Sequence, residues 1–222
     1  MTTIDLNTPA RNALKTPRAA AIAGIIFSVL LSISLVLIAM SVPKDPESVG
    51  AWLETGSSTV SLALNLVPIA GIAFLWFIGV IRDRLGTRED KLFATAFFGS
   101  GLLFLAMLYF SAAVVGGIIM MYGSDPKAFI GSEVYAFGRA ITYQLTHTYT
   151  MRMAGLFMMS TCTLSIRTDI LPRWLSILGY VLAVTLLLGG GLGSGILLVF
   201  PAWIFVVRVF ILQSNLRSKS DI

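Results

Sequence analysis

Hydrophobic positions along this chain gather into six long runs, and most polar and charged positions fall in the intervals between them. A hydrocarbon core about 30 Å thick is crossed by about 20 apolar residues in a helix, so runs of this length predict membrane spans. The first covers about residues 19–42 and is closed by Pro43, with Pro46 soon after. It is too long and too evenly apolar for a cleavable signal peptide, whose apolar stretch is about 7 to 15 residues, and is read as a retained helix. The second runs over about 57–81 and ends at Arg82-Asp83-Arg84, while the third, about 92–122, is long enough to tilt or to project beyond the bilayer. From about 124 to 142 the pattern turns mixed, with Asp125, Pro126, Lys127, Glu133 and Arg139 among apolar residues, which predicts an amphipathic interfacial segment. The fourth span follows at about 143–166, the fifth at about 174–188 and the sixth at about 195–212. Glycines from Gly189 to Gly195 predict a flexible hairpin between the last two.

Basic residues then orient these spans, because Lys and Arg near span ends are retained on the cytoplasmic side. Arg11, Lys15, Arg18, Arg82, Arg84, Arg88, Lys91, Arg167, Arg173, Arg208, Arg217 and Lys219 all fall on one side of a six-span arrangement. The other side holds Lys44, Lys127 and Arg139, offset by Asp45, Glu47, Glu54, Asp125 and Glu133. Both termini are therefore expected in the cytoplasm. Trp52, Trp174 and Trp203 fall near expected interfaces, where amphipathic rings are enriched.

Composition agrees with the pattern: 56% of 222 residues are hydrophobic and 12% charged, about half the charged share of a soluble domain. Six spans leave no length for a separate soluble domain, so residues 1–222 form one integral membrane domain. The net charge of +5 follows from the basic face, which favours anionic headgroups and requires no nucleic-acid partner. Cys162, the lone cysteine, falls inside a span and reads as a core thiol.

The sharpest local feature is Tyr143-Gln144-Leu145-Thr146-His147-Thr148-Tyr149-Thr150-Met151-Arg152, with the lone His and an Arg inside a span. Charge at that depth costs about 2.5 to 3.5 kcal/mol on insertion scales, so Arg152 is expected to face protein or water. On α-helical spacing, Arg139, Tyr143, His147 and Thr150 share one face, and Gln144, Thr148 and Arg152 the next. Asn65 of the second span, Ser32 and Ser34 of the first, and Tyr109 and Ser111 of the third lie at similar depth. Arg152, His147, Thr148, Asn65, Tyr109 and Ser111 are accordingly the candidate ligand-binding residues of an outward-facing polar pocket. The competing account is structural: Ser, Thr and Asn bond across membrane helices at about 0.6 kcal/mol each, and Gly99, Gly101, Gly116 and Gly117 allow close approach. For Arg152 three satisfactions stay open, namely an outer-loop acid such as Glu47, Glu54 or Glu133, backbone carbonyls, or an anion. His147 reads as a hydrogen-bonded structural residue or a titrating one. Pro68 and Pro201, inside apolar runs, predict kinks.

Metal, haem, nucleotide and hydrolase signatures are lacking: one His and one Cys do not make a zinc or haem ligand set, and no His-Glu-x-x-His pair, P-loop or Gly-x-Ser-x-Gly elbow occurs. No Asp or Glu within a span offers a proton relay, which disfavours an ion-coupled pump. No cofactor is expected. Arg18-Ala19-Ala20-Ala21-Ile22-Ala23-Gly24 and Leu171-Pro172-Arg173-Trp174-Leu175-Ser176-Ile177-Leu178-Gly179, with the length and helix layout, resemble an uncharacterised family of small multi-pass bacterial integral membrane proteins. That resemblance implies a bacterial inner membrane and carries over no functional residue. The expectation is an all-α polytopic bundle of six transmembrane helices. Its leading role is non-enzymatic binding of a small ligand, lipid or partner helix, with a membrane protein or second copy as partner. A small transporter or permease, and a membrane enzyme acting on a lipid through His147 and Arg152, are the alternatives.

Overall fold

The computed structural model describes residues 17–42, 50–85, 91–168, 171–189 and 193–220, and over these the chain is helical. Its helices are α1 (Pro17–Ser41), α2 (Ala51–Thr55), α3 (Ser57–Leu85), α4 (Lys91–Ser124), α5 (Pro126–Ile130), α6 (Glu133–Tyr143), α7 (Met151–Thr168), α8 (Arg173–Leu188) and α9 (Val199–Ser220). A π-helical segment, Gln144–Thr150, joins α6 to α7 without a break, and a 3₁₀ turn, Ser194–Leu198, leads into α9. An apolar chain in a membrane has no water for its backbone, so helices that satisfy their own N–H and C=O groups are the available form. Arg11, Lys15, Arg88, Asp45 and Glu47, with Gly190, Gly191 and Leu192 of the expected hairpin, lie outside the described residues.

Among the described residues, four helices are long and apolar enough to cross a membrane, at Ile22–Ser41, Ser57–Arg82, Ala94–Ser124 and Gly195–Gln213. The six-span expectation is thereby met for the first, second, third and sixth runs. Of the other two, α8 is a shorter apolar helix of 16 residues. The fourth run is helical from 133 to 168, but Arg152 and its many Ser and Thr residues dilute its apolar character. The interfacial segment expected at 124–142 is divided: Asp125 caps α5 by accepting from the Ala128 N–H, and Ser132 caps α6 by accepting from that of Tyr135. From Glu133 onward it is continuous with the fourth run.

Lateral contacts run antiparallel between neighbours, residue numbers rising on one helix as they fall on the next. On the α1–α3 pair, Ser34 donates to the Ala63 carbonyl at 3.1 Å while Phe27 meets Phe74 at 4.4 Å. Between α3 and α4, Tyr109 donates to the Pro68 carbonyl at 3.3 Å and Arg82 lies over the Phe98 ring at 4.8 Å. Along α4 and the 133–168 run, Gly138 faces Ile118, Ser111 meets Thr146, and Phe97 stacks on Phe157. Thr163 and Tyr180 tie α7 to α8 at 2.6 Å. Finally α9 returns to α1, where Phe200 meets Phe27 and Arg208 packs on Gly24.

At the centre five rings from five helices, Phe27, Phe74, Phe104, Phe157 and Phe200, interlock edge-on and tilted with centroids 4.4 to 6.3 Å apart. Such geometries are the favourable ones for aromatic quadrupoles. The outer surface is apolar as well: α1 exposes Ile22, Ile26, Val29, Ile33, Val36 and Met40 on one face while burying Phe27, Ser28, Leu31 and Ser34 on the other. An exposed apolar stripe of that extent suits lipid. A second, smaller core closes the poorly basic end, where Trp52, Leu53, Val60, Ile118, Phe129 and Tyr135 are buried together. There the Trp52 indole donates to the Tyr135 hydroxyl at 3.2 Å, and Gly50 holds a left-handed φ of 77° beneath Ile130.

Several local expectations are corrected by this packing. Trp52 and Trp203 are buried in cores at 4% and 3% exposure, and of the three only Trp174 presents its ring at the surface. Gly101 does admit a close neighbour, the Ile78 and Phe157 side chains, but Gly99, Gly116 and Gly117 face open space. Close approach occurs instead at Gly71, Gly155 and Gly179. Pro68 lies inside the continuous helix α3, with its carbonyl accepting from Tyr109. Pro201 falls in the first turn of α9, just after the 3₁₀ turn, where a missing N–H costs little.

Candidate functional site

The residues singled out in the fourth run sit where the helix changes its winding. Between Gln144 and Thr150 the chain is π-helical, and side chains five apart come into register: the Thr150 hydroxyl donates to the Leu145 carbonyl at 2.7 Å. That wider turn overturns the face expected from α-helical spacing. Tyr143 is 51% exposed and stacks on His147 at 4.3 Å with an interplanar angle of 16°, whereas Thr150 is buried at 1%. Arg139 belongs to the cap, its guanidinium 5.9 Å from the Tyr135 ring centroid.

Gln144, Thr148 and Arg152 do keep one face, and it points outward: Gln144 and Arg152 are exposed and Thr148 is half-buried. The Thr148 hydroxyl donates to the Gln144 side-chain oxygen at 3.0 Å, leaving the Gln144 amide hydrogens for another acceptor. Arg152 thus stands on the lateral surface of α7, not turned toward protein as its burial cost had implied. Of the acids considered for it, Glu47 lies outside the described residues. Glu133 is 19 residues away along the same helical run, about 28 Å by helical rise, so it does not reach. No Asp or Glu occurs between 134 and 168, in α4 or in α8, the two helices packed beside this run.

The other candidates are dispersed. Asn65 is exposed on α3 and donates to the Ser61 carbonyl of its own helix at 3.0 Å. Tyr109 lies over Gly71 with its hydroxyl on Pro68. Ser111 is the one brought to the fourth run, its hydroxyl 2.7 Å from that of Thr146. His147 is half-buried, and its Nδ1 makes no hydrogen bond among the described residues. Elsewhere the buried hydroxyls mostly bond one turn back on their own helix, as Ser28 to Gly24 at 2.7 Å, Ser100 to Ala96 at 2.6 Å and Thr161 to Phe157 at 2.8 Å. Such bonds satisfy the hydroxyl without joining helices.

Behind the π segment lies a cavity of about 10 Å³ lined by Leu31, Phe104, Thr146, Thr150, Met151 and Phe200 among others. That is room for about one water and is apolar, so it is a packing gap beside the irregular turn. Two residues gain a place that the candidate set does not give them. Gln144 is not a candidate, although its spacing puts it on the face of Thr148 and Arg152. Arg208 is among the cations of the basic end, yet its stem packs on Gly24, its guanidinium lies 4.0 Å from the Phe77 centroid, and it is 5% exposed. Only the meeting of α9 with α1 and α3 buries it. Among the described residues no group of three His, Cys, Asp or Glu is placed to hold a metal ion, and Cys162 is a free, fully buried thiol. No family model, curated protein or solved structure matches this chain.

Proposed function

We propose that this multi-pass membrane protein is a non-enzymatic binding protein that crosses the bilayer six times and engages a membrane-embedded molecule from the side, at the face of Gln144, Thr148 and Arg152. The single observation behind this reading is the exposure of Arg152 on a helix that, like the two helices packed beside it, α4 and α8, carries no acid. A cation costs several kcal/mol in hydrocarbon, and a molecule bearing negative charge offsets that cost when it docks there. Six crossings are supported by the antiparallel course of 133–168 along α4, a helix long enough to span, and by the apolar outer face of α8, with Ile177, Leu178, Val181, Val184 and Leu188 exposed. The gathering of Arg82, Arg167, Arg173 and Arg208 at one end of the bundle supports cytoplasmic termini. By the resemblance noted above, the membrane is a bacterial inner membrane.

Native mass spectrometry of the gently solubilised protein, wild type beside Arg152→Gln, tests the lateral site. A bound molecule or a second copy carried by the wild type and lost from the variant is the expected result. Identical masses for both proteins would refute it.

A further inference from the structure

Depth and side-chain direction narrow what the lateral site takes. Arg167 is exposed near the last turn of α7 at the basic end, and Arg152 lies 15 residues earlier, about 22 Å along the helix. Within a core about 30 Å thick, that leaves about 8 Å to the opposite surface. Side chains on a helix lean toward its N-terminus, which for this run is the poorly basic end. Arg152 therefore leans toward the nearer surface and toward Thr148 and Gln144, one and two turns above it, and a long arginine stem brings the guanidinium to the headgroup boundary. On this stripe the guanidinium and the Gln144 amide are donors, Thr148 already donates to Gln144, and no acid competes. Planar donors of this kind match a phosphate.

We infer that Gln144, Thr148 and Arg152 form a seat for the phosphate of an anionic phospholipid in the leaflet at the poorly basic end. This inference rests on the lateral-site reading above and deepens it. A lipid is favoured over a soluble anion because the stripe opens sideways into an apolar surface, with Leu156 exposed one turn below Arg152 and Val181, Val184 and Leu188 exposed on α8. Acyl chains lie along such a surface while the phosphate meets the donors. A net-negative headgroup is favoured over phosphatidylcholine, whose own cation compensates its phosphate.

The full chain, in nanodiscs of mixed phosphatidylcholine and phosphatidylglycerol, is transferred to native mass spectrometry and the retained lipids are titrated. Wild type is expected to retain phosphatidylglycerol preferentially. Arg152→Gln should weaken that retention about tenfold or more, Arg152→Lys less, Thr148→Val a few-fold, and Arg173→Gln, which removes one of the many cations at the basic end, far less than Arg152→Gln. Removing a cation from an apolar surface relieves a cost, so Arg152→Gln should fold, and Thr148→Val gives an independent check. Equal phosphatidylglycerol retention by wild type and Arg152→Gln would overturn the assignment, as would an equal loss in Arg173→Gln. Displacement of the lipid by millimolar inorganic phosphate would replace it with a soluble anion. Loss of a dimeric mass with lipid retention unchanged would replace it with a second copy. In those last two outcomes the lateral site survives and only its ligand changes; the site itself fails when Arg152→Gln alters none of these masses.

Discussion

Gly71 and Tyr109 show how narrowly single residues are fitted in this bundle. A methyl group at position 71 would fall on the Tyr109 hydroxyl, so Gly71→Ala must push the ring aside and break its bond to the Pro68 carbonyl. A loss of about 1 to 3 kcal/mol is expected from such overpacking. Thermal unfolding in detergent should show it largely relieved in Gly71→Ala combined with Tyr109→Ala, since the two effects share one contact. Arg208 gives a second case in which magnitudes decide the sign. Its stem fills the space over Gly24 and its guanidinium stacks on Phe77, so Arg208→Ala should cost about 2 kcal/mol or more in the same assay. Arg208→Met keeps the stem packing over Gly24 and should lose clearly less than Arg208→Ala. A large loss in Arg208→Met would mean that the charge itself holds the helices. At this scale the sequence showed which residues were unusual, but not which neighbour each would meet.

The π segment is the element on which the candidate site depends. Its seven residues turn Thr146 and Thr150 inward to Ser111 and the core while keeping Gln144, Thr148 and Arg152 outside. It also sets the rotation of α6, whose Tyr135 and Gly138 must face Phe129 and Ile118 to close the cap. A π turn takes up one residue more than an α turn, so deleting Tyr149, an exposed residue, should return the run to plain α-helix with α6 keeping its rotation relative to α7 and the cap closed. Inserting an alanine after Tyr149 instead adds a residue taken up as α-helix, which turns α6 by about 100° and opens the cap. The insertion should cost about 2 kcal/mol or more and speed proteolysis near 125–132, whereas the deletion should cost less and Tyr149→Ala should stay within about 0.5 kcal/mol. Unchanged melting and proteolysis on insertion would show that α6 and α7 are not rotationally coupled. None of this winding was legible beforehand: Gln144–Thr150 reads as ordinary α-helical sequence, and the extra residue is accommodated by contacts with α4 that lie far away along the chain.

For the whole molecule, the antiparallel contact pattern carries a topological prediction. Single cysteines placed in a Cys162→Ser background at Lys127 and Arg173 lie on either side of the 133–168 run, at the two ends of the bundle. An impermeant maleimide applied to sealed membranes should label one and not the other, with Glu54→Cys behaving like Lys127→Cys and Arg82→Cys like Arg173→Cys. Labelling of both Lys127→Cys and Arg173→Cys from one side would mean that the fourth run does not cross. Which end faces the cytoplasm follows from the same experiment, and the positive-inside rule expects it to be the arginine end.

Membrane class, the bounds of most helices to within a few residues and the gathering of cations at one end are all legible in the order of residues. Length, hydropathy and charge act locally, and a helix in lipid satisfies its backbone without help from its neighbours. Which faces meet is set by packing. It buried Trp52, Trp203 and Arg208, turned Thr150 inward, gave Ser111 to Thr146 instead of to a pocket, and left Arg152 on the outside. Those outcomes depend on ring packing, glycine notches and the register of a π turn, all set by residues far apart in the chain, and hydropathy does not encode them.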